Sequence, residues 1–165
     1  MCIRDSLYLI EQQIVTEKIV LLVVDPLESF LPEKTDTHNN ASTRRVLAEM
    51  CAMAERTGCA ILSIRHLNKM GSVDRALYRG GGSIAFAAAA RTSMIVGLDP
   101  TEHGVRDDDP QRRHVLATVK NNLWPKEPAR AFCKVVDPES IDARHPKGIV
   151  HIEWCEGTVL CTADD

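Results

Sequence analysis

The sequence is short of everything that would mark a special class. No apolar run approaches the length needed to cross a bilayer, and Met1 to Arg4 lead into no signal-peptide core. The 165 residues carry a net charge of -3, which implies no strong global pull on nucleic acid and leaves local basic patches open. Cys2, Cys51, Cys59, Cys133, Cys155 and Cys161 form no Cys-x-x-Cys pair and no zinc spacing with the histidines. Several lie among apolar neighbours, where Cys acts as a small hydrophobe, so the expected compartment is reducing and cytoplasmic. There is no internal repeat and no low-complexity linker. Length and an apolar share of 44% fit one ordinary globular domain with a single sizeable core.

Against this plain background one stretch stands out. Leu21-Leu22-Val23-Val24 runs straight into Asp25, and Pro26 stops the strand. An unbroken apolar run predicts a strand buried on both faces, as in a parallel α/β sheet. A carboxylate at the carboxyl end of such a strand sits where open α/β sheets bind ligands. In P-loop NTPases the aspartate so placed holds magnesium, and the motif is called Walker B. The plainer reading is a core strand followed by a capping Asp.

The rest of the chain builds around that strand. Leu7, Ile10 and Ile14 share one face of a short helix over 7–16. Residues 27–40 read as a loop. Val46, Leu47, Met50, Met53 and Ala54 fall at helical spacing over 41–57, and Gly58 is placed to end that helix in the left-handed region. A second buried strand over 60–65 reaches His66. A basic loop over 67–79 leads through Gly80-Gly81-Gly82, a backbone hinge, into a small-residue helix over 83–90, for which Ser83 is a good N-cap. Strands follow over 92–98, 115–120, 131–136 and 149–154, with a polar acidic loop over 99–111. Strand, helix, strand, helix, then strands alone predicts a mostly parallel α/β sheet flanked by helices, with a C-terminal antiparallel extension.

Four stretches, LLVVDPLESFL, SIRHLNK, YRGGGSIAFAAAAR and ATVKNNL, together resemble the RecA-like ATPases of the RepA-type replicative helicase family, found with phage and plasmid primases. The ending IEWCEGTVLCTADD is also similar to that family's closing strand and tail. The resemblance covers nearly everything from Ile19 to Asp165, and it rests on the order and spacing of the stretches. It implies a RecA-like fold, ATP and magnesium as cofactors, and hydrolysis that drives a ring-shaped homo-oligomer, a hexamer, along single-stranded DNA during replication. No membrane partner is implied.

The same resemblance assigns roles. Asp25 would orient magnesium and its waters on the triphosphate. His66, at the end of the adjacent strand, resembles the polar sensor of the γ-phosphate, and either ring nitrogen is able to donate. Lys69, Arg75 and Arg79 lie in the loop that faces the ring channel and grips single-stranded DNA, where cations tracking phosphates supply sequence-independent affinity. Tyr78 is placed to stack on a base. Arg91 resembles an arginine finger for the next subunit's nucleotide, and reads equally as a cation balancing a helix end. Lys120 and Asn122 stand where related ring helicases carry Lys-x-Arg, so only Lys120 carries over. Asp36 and His38 are two possible ligands in one loop, too few for a metal site.

The chain departs from the family upstream of Asp25. The family's phosphate loop ends in Gly-Lys-Ser/Thr, and nothing here fits Gly-x-x-x-x-Gly-Lys-Ser/Thr. Gly80 to Gly82 lie on the wrong side of Asp25 and precede no Lys. No counterpart of the catalytic glutamate stands out, Glu11 and Glu17 being too close to the Walker B strand. Met1 to Ser6 resemble translated adapter read-through. The expected organisation is therefore a non-native leader over 1–6 and the C-terminal part of one RecA-like ATPase domain over 7–165.

Two other classes remain open. LLVVDPLESFL is also similar to the opening of isochorismatase-like cysteine hydrolases, which use an Asp, a Lys and a nucleophilic Cys in a Thr-Asp/Asn-x-Cys context. No cysteine here has that context, and Cys133 lies inside an apparent strand. The other is a non-catalytic RecA-like assembly module, which the missing phosphate loop makes plausible for the isolated chain.

Overall fold

Helical spacing and apolar runs become packed elements, with differences from the expected pattern at the start of the first helix, in the turn after the first strand and at the first sheet. The computed structural model describes residues 3–31, 40–67, 84–102, 109, 112–141, 144, 146 and 148–164, with residues 3–5, 40 and 42 described by backbone alone. The chain divides into two units. One is Met1–Val73 with Leu77–Ala90, the other Asp74–Ala76 with Arg91–Asp165.

The first unit holds helix α1 (Ile3–Glu17), strand β1 (Leu21–Val24), a 3-10 turn (Leu27–Phe30), helix α2 (Asn40–Thr57), strand β2 (Ala60–Ser63) and the short helix α3 (Ala85–Ala89). α1 begins four residues before the helix expected from Leu7, Ile10 and Ile14. Ile14 buries against Met53 of α2 and Cys59, so α1 and α2 share an apolar seam. Arg56 of α2 closes the outside of that seam with two 2.8 Å bonds to the Glu11 carboxylate, and this contact draws the Glu11 pKa below its usual value. α2 ends as expected. Gly58 sits at φ +69 and its N–H donates to the Ala54 carbonyl at 2.9 Å, a left-handed closure that glycine adopts without steric cost.

β1 and β2 pair in parallel, with Leu21, Leu22, Val23 and Val24 opposite Ala60, Ile61, Leu62 and Ser63. The inward residues Leu22, Val24 and Ile61 pack with Val46, Leu47 and Met50 of α2 and with Ala85 and Phe86. The outward residues correct the expectation of burial on both faces. Leu21 and Val23 are each 50% exposed and Leu62 is 51% exposed. Among the described residues nothing covers this outer face. An apolar run specifies that both faces avoid water; it does not supply the layer that covers the second one.

The second unit is an antiparallel sheet of β3 (Thr92–Leu98), β4 (His114–Asn121), β5 (Arg130–Asp137) and β6 (Ile149–Trp154), in that order. The α/β class holds, with the antiparallel part the larger among the described residues. One sheet face is covered by the C-terminal tail. Val159, Cys161 and Ala163 pack on Ala117, Ala129, Ile95 and Val119, and the Val159 N–H donates to the Ala129 carbonyl at 2.8 Å. On the opposite face Phe132 lies between His114 and Trp154, each ring centroid 5.4 Å away. Gly148, at φ +74, leads the chain into β6.

Candidate functional site

The carboxyl ends of β1 and β2 are neighbours; Asp25 directly follows β1, and His66 lies three residues past β2, which ends at Ser63 and not at 65. Past the last register pair, Val24 with Ser63, the backbone of Ile64 continues the contact in both directions. Its N–H donates to the Val24 carbonyl at 2.8 Å, and its carbonyl accepts the Leu27 N–H at 2.9 Å. Asp25 and Pro26 are thereby pinched out of the ladder between two bonds to one residue. Leu27, 2% exposed, anchors the far side of the turn in the core. Asp25 itself is exposed, and so is His66, two residues beyond Ile64. The pair therefore opens to solvent at the carboxyl end of a parallel sheet, where α/β folds place ligands.

Between these two residues the structure adds a pair that sequence reasoning missed. Arg65 Nε donates to Glu28 Oε1 at 2.6 Å, and the Arg65 guanidinium stacks on the Phe86 ring, 3.7 Å from its centroid. Glu28 Oε2 is enclosed and makes no hydrogen bond among the described residues. The bridge ties the segment after β1 to the segment after β2, and α3 presses on it through Phe86. It fixes a cation one residue before His66. Glu28 and Arg65 are 37 residues apart, so no local pattern announces them.

A single exposed carboxylate is a reasonable magnesium ligand. Magnesium is commonly held by one or two carboxylates together with substrate phosphates, not by an all-protein cage. Among the described residues no group of three or more His, Cys, Asp or Glu side chains is arranged to hold a metal ion. Asp25 fits the first arrangement and not the second.

Arg91 and Lys120 come together in the second unit. Arg91 is exposed just before β3, and its carbonyl accepts the Asn122 N–H at 3.0 Å. Lys120 is opposite Ser93, and Asn121 opposite Thr92, so both cations sit at one end of the β3–β4 ladder. Asn122 serves the backbone at that end. Asn121 Oδ1 accepts the Leu123 N–H at 3.0 Å and shapes the turn that follows. Lys69, Arg75, Arg79 and Tyr78 lie outside the described residues, as do Gly80 to Ser83, Asp36 and His38.

Among the described residues, the most buried charge lies elsewhere in the second unit. Asp99 is fully buried just after β3. Burial pushes its carboxyl up, but the Thr101 hydroxyl and N–H, at 2.7 and 2.9 Å, and the nearby Arg113 outweigh that and hold it below its usual value. Arg113 spans two carboxylates, with Nη2 2.8 Å from Asp99 Oδ2 and Nε 3.0 Å from Glu102 Oε1. This network closes the β3–β4 connection. The sequence shows only an acidic loop there.

Cys133 lies within β5, half-buried, and its thiol is pushed up by burial and by the neighbouring Cys155. That is the reverse of nucleophile activation.

A family model described as an AAA domain matches residues 4–72. The matched stretch runs from α1 through β2 and contains Asp25 and His66. It spans less than half of the chain. Over it the chain is similar to an AAA, P-loop ATPase-like domain, a class of nucleotide-binding ATPase folds. No curated protein matches the chain closely enough to count as a relative. Among the described residues no helix is long and apolar enough to cross a membrane.

Proposed function

We propose that this chain is the magnesium-, sensor- and neighbour-facing part of a RecA-like ATPase of the RepA-type replicative helicase kind. In that reading a homo-hexameric ring hydrolyses ATP and moves along single-stranded DNA in the cytoplasm. The observation that carries it is the pairing of β1 and β2, which sets Asp25 and His66 at adjacent carboxyl ends inside the stretch similar to an AAA domain. Magnesium bound with ATP would supply charge neutralisation on the phosphates. Asp25 would hold that ion and its waters. His66 would donate to the γ-phosphate and relay its presence into the loop that bears Lys69, Arg75 and Arg79, which would grip DNA phosphates. Arg91 and Lys120, close together at one end of β3–β4, would serve a neighbouring subunit's nucleotide.

The chain contains no Gly-x-x-x-x-Gly-Lys-Ser/Thr, so the phosphate cradle must come from a segment outside this sequence. In this proposal residues 7–165 are the C-terminal part of the domain. The same absence favours a second reading for the isolated chain, a RecA-like assembly module that turns nothing over. ATP turnover separates the two. The coding sequence upstream of residue 7 should encode a phosphate loop, and a protein that includes it should hydrolyse ATP with magnesium. An upstream sequence without such a loop, or a restored protein that assembles but never hydrolyses ATP, would sink the ATPase reading.

A further inference from the structure

The second unit contains a pair of thiols that the proposed function does not use. Cys133 Sγ and Cys155 Sγ are 4.0 Å apart, both only partly buried. Cys133 lies opposite Glu153 in the β5–β6 register, and Cys155 is two residues further on, just past the end of β6. The Cys155 N–H still donates to the Ala131 carbonyl at 3.0 Å, so the two cysteines are diagonal neighbours on one sheet face. The remaining cysteines of the described chain have other settings. Cys51 is exposed on α2, Cys59 is buried, and Cys161 packs beside the tail residues Val159 and Ala163.

We propose that Cys133 and Cys155 form a modification site, closed to a disulfide by a two-electron oxidant such as hydrogen peroxide. The thiolate of one cysteine attacks a peroxide oxygen, the O–O bond breaks, and a sulfenic acid and water result. The second thiol then attacks the sulfenic sulfur, the S–O bond breaks, and a second water leaves. Two S–H groups are oxidised to one S–S bond and one peroxide is reduced to two waters. Formation of the bond needs the sulfur atoms to approach to about 2.05 Å. Cys155 sits just past the end of β6, where the chain enters a turn that contains Gly157 at φ +78.

The bond would matter for β6. Among the described strands, this one is at the edge of the sheet and pairs with β5 alone, and every residue in it is exposed. A disulfide at its end would tie it to β5 by a covalent link. The groups that face the Cys133 thiol, after its own burial, are Cys155 and Glu102, which push its pKa up, and Arg113, which pulls it down. The balance keeps it protonated near neutral pH, so closure should be slow there and faster as pH rises.

The test uses the full chain with added hydrogen peroxide, then digestion with trypsin and a glutamyl endopeptidase under non-reducing conditions. Cleavage after Glu156 separates Cys155 from Cys161. The expected product is a peptide pair joined through Cys133 and Cys155, lighter by two hydrogens than its reduced parts. Amide exchange in β6 should slow, and Tm should rise by roughly 5 °C. Reductant should reverse both. Cys133→Ser and Cys155→Ala should each abolish the joined peptide and both shifts, with folding of each variant checked by circular dichroism. Pairing of Cys155 with Cys161, intermolecular dimers alone, or oxidation to sulfinic acid without the joined peptide would overturn the proposal. So would a joined peptide that leaves β6 exchange and Tm unchanged.

Discussion

Arg113 holds Asp99 across the β3–β4 connection, Nη2 lying 2.8 Å from an oxygen of a carboxylate with no exposed surface. A buried carboxylate is tolerated only when charge and hydrogen bonds replace water. Thr101 and Arg113 do so here, and Arg113 is shared with Glu102. Asp99→Asn should therefore destabilise the second unit by about 2 kcal/mol, toward the low end for a broken buried pair because Glu102 still partners Arg113. Denaturant unfolding followed through Trp154, in this unit, measures it. An unchanged midpoint would deny the network its structural role.

The same residue gives the second unit an acid sensitivity. The Asp99 pKa is lowered in the folded state from an ordinary value of 3.8. A group of this kind contributes stability that is complete above the ordinary value and is lost as pH falls through the lower folded one. The wild-type chain should lose stability in that window below about pH 4, and Asp99→Asn should flatten the loss. Equal acid slopes for the two proteins would show that other carboxylates carry the effect.

Which of these features the sequence disclosed follows from range. α2 was legible because Val46, Leu47, Met50 and Met53 repeat at the helical period within one local window, and Gly58 marks its end. The neighbouring of β1 and β2 was legible because two apolar runs flank one amphipathic helix. The exposed face of Leu21, Val23 and Leu62 was not, because four apolar residues in a row carry no sign of which face is covered. The pairs Glu28–Arg65 and Asp99–Arg113 were invisible for another reason. Their partners come together only through strand register and tertiary folding, and a lone Glu or Arg in a loop reads as solvated charge. Local pattern does reveal that Asp25 directly follows one apolar run and that His66 comes soon after the other, and their roles rest on the proposed function. Lys69, Arg75 and Arg79 lie outside the described residues, so only binding experiments bear on them.

Gly148 should resist substitution. It sits at φ +74, and a Cβ there would come within 2.6 Å of Val136 Cγ1 and 3.2 Å of the Asp137 carbonyl. Valine has no flexible end to move aside, and the left-handed backbone adds its own cost for any L side chain. Gly148→Ala should cost about 1–3 kcal/mol and loosen the start of β6. Faster amide exchange at His151 and Glu153, whose N–H groups face β5, with β3 and β4 unaffected, is the expected signature. A variant as stable as the parent would mean that the turn has another conformation available.

Asp25 allows a cleaner separation of fold from function. Its side chain is exposed and caps no helix, so Asp25→Ala should leave stability within about 0.5 kcal/mol. The 165-residue chain should show negligible ATP hydrolysis, having no phosphate loop. In a protein restored with its upstream segment, magnesium-dependent hydrolysis should appear, and Asp25→Ala should lower it about 100-fold or more. Strong turnover by the short chain would contradict the need for an upstream phosphate loop, and a restored enzyme indifferent to Asp25 would contradict the magnesium assignment.

Arg91 and Lys120 pose the question of whether the site is shared between subunits. Both cations sit at one end of β3–β4, in the unit that does not contain Asp25 and His66. If they serve a neighbour's nucleotide, restored protein bearing Arg91→Ala should lose about 1,000-fold in turnover, as expected when a finger is removed. Restored protein bearing Asp25→Ala should be similarly dead. Mixed rings distinguish the arrangements. An interface that draws Asp25 from one variant and Arg91 from the other has both residues intact, so mixing should return part of the activity. If both residues act within one chain, every site keeps one defect and mixing returns nothing. Co-assembly must be shown independently, by native mass spectrometry of differently labelled subunits. With mixed rings present and no recovery, Arg91 is a cation at a helix end and the finger assignment falls.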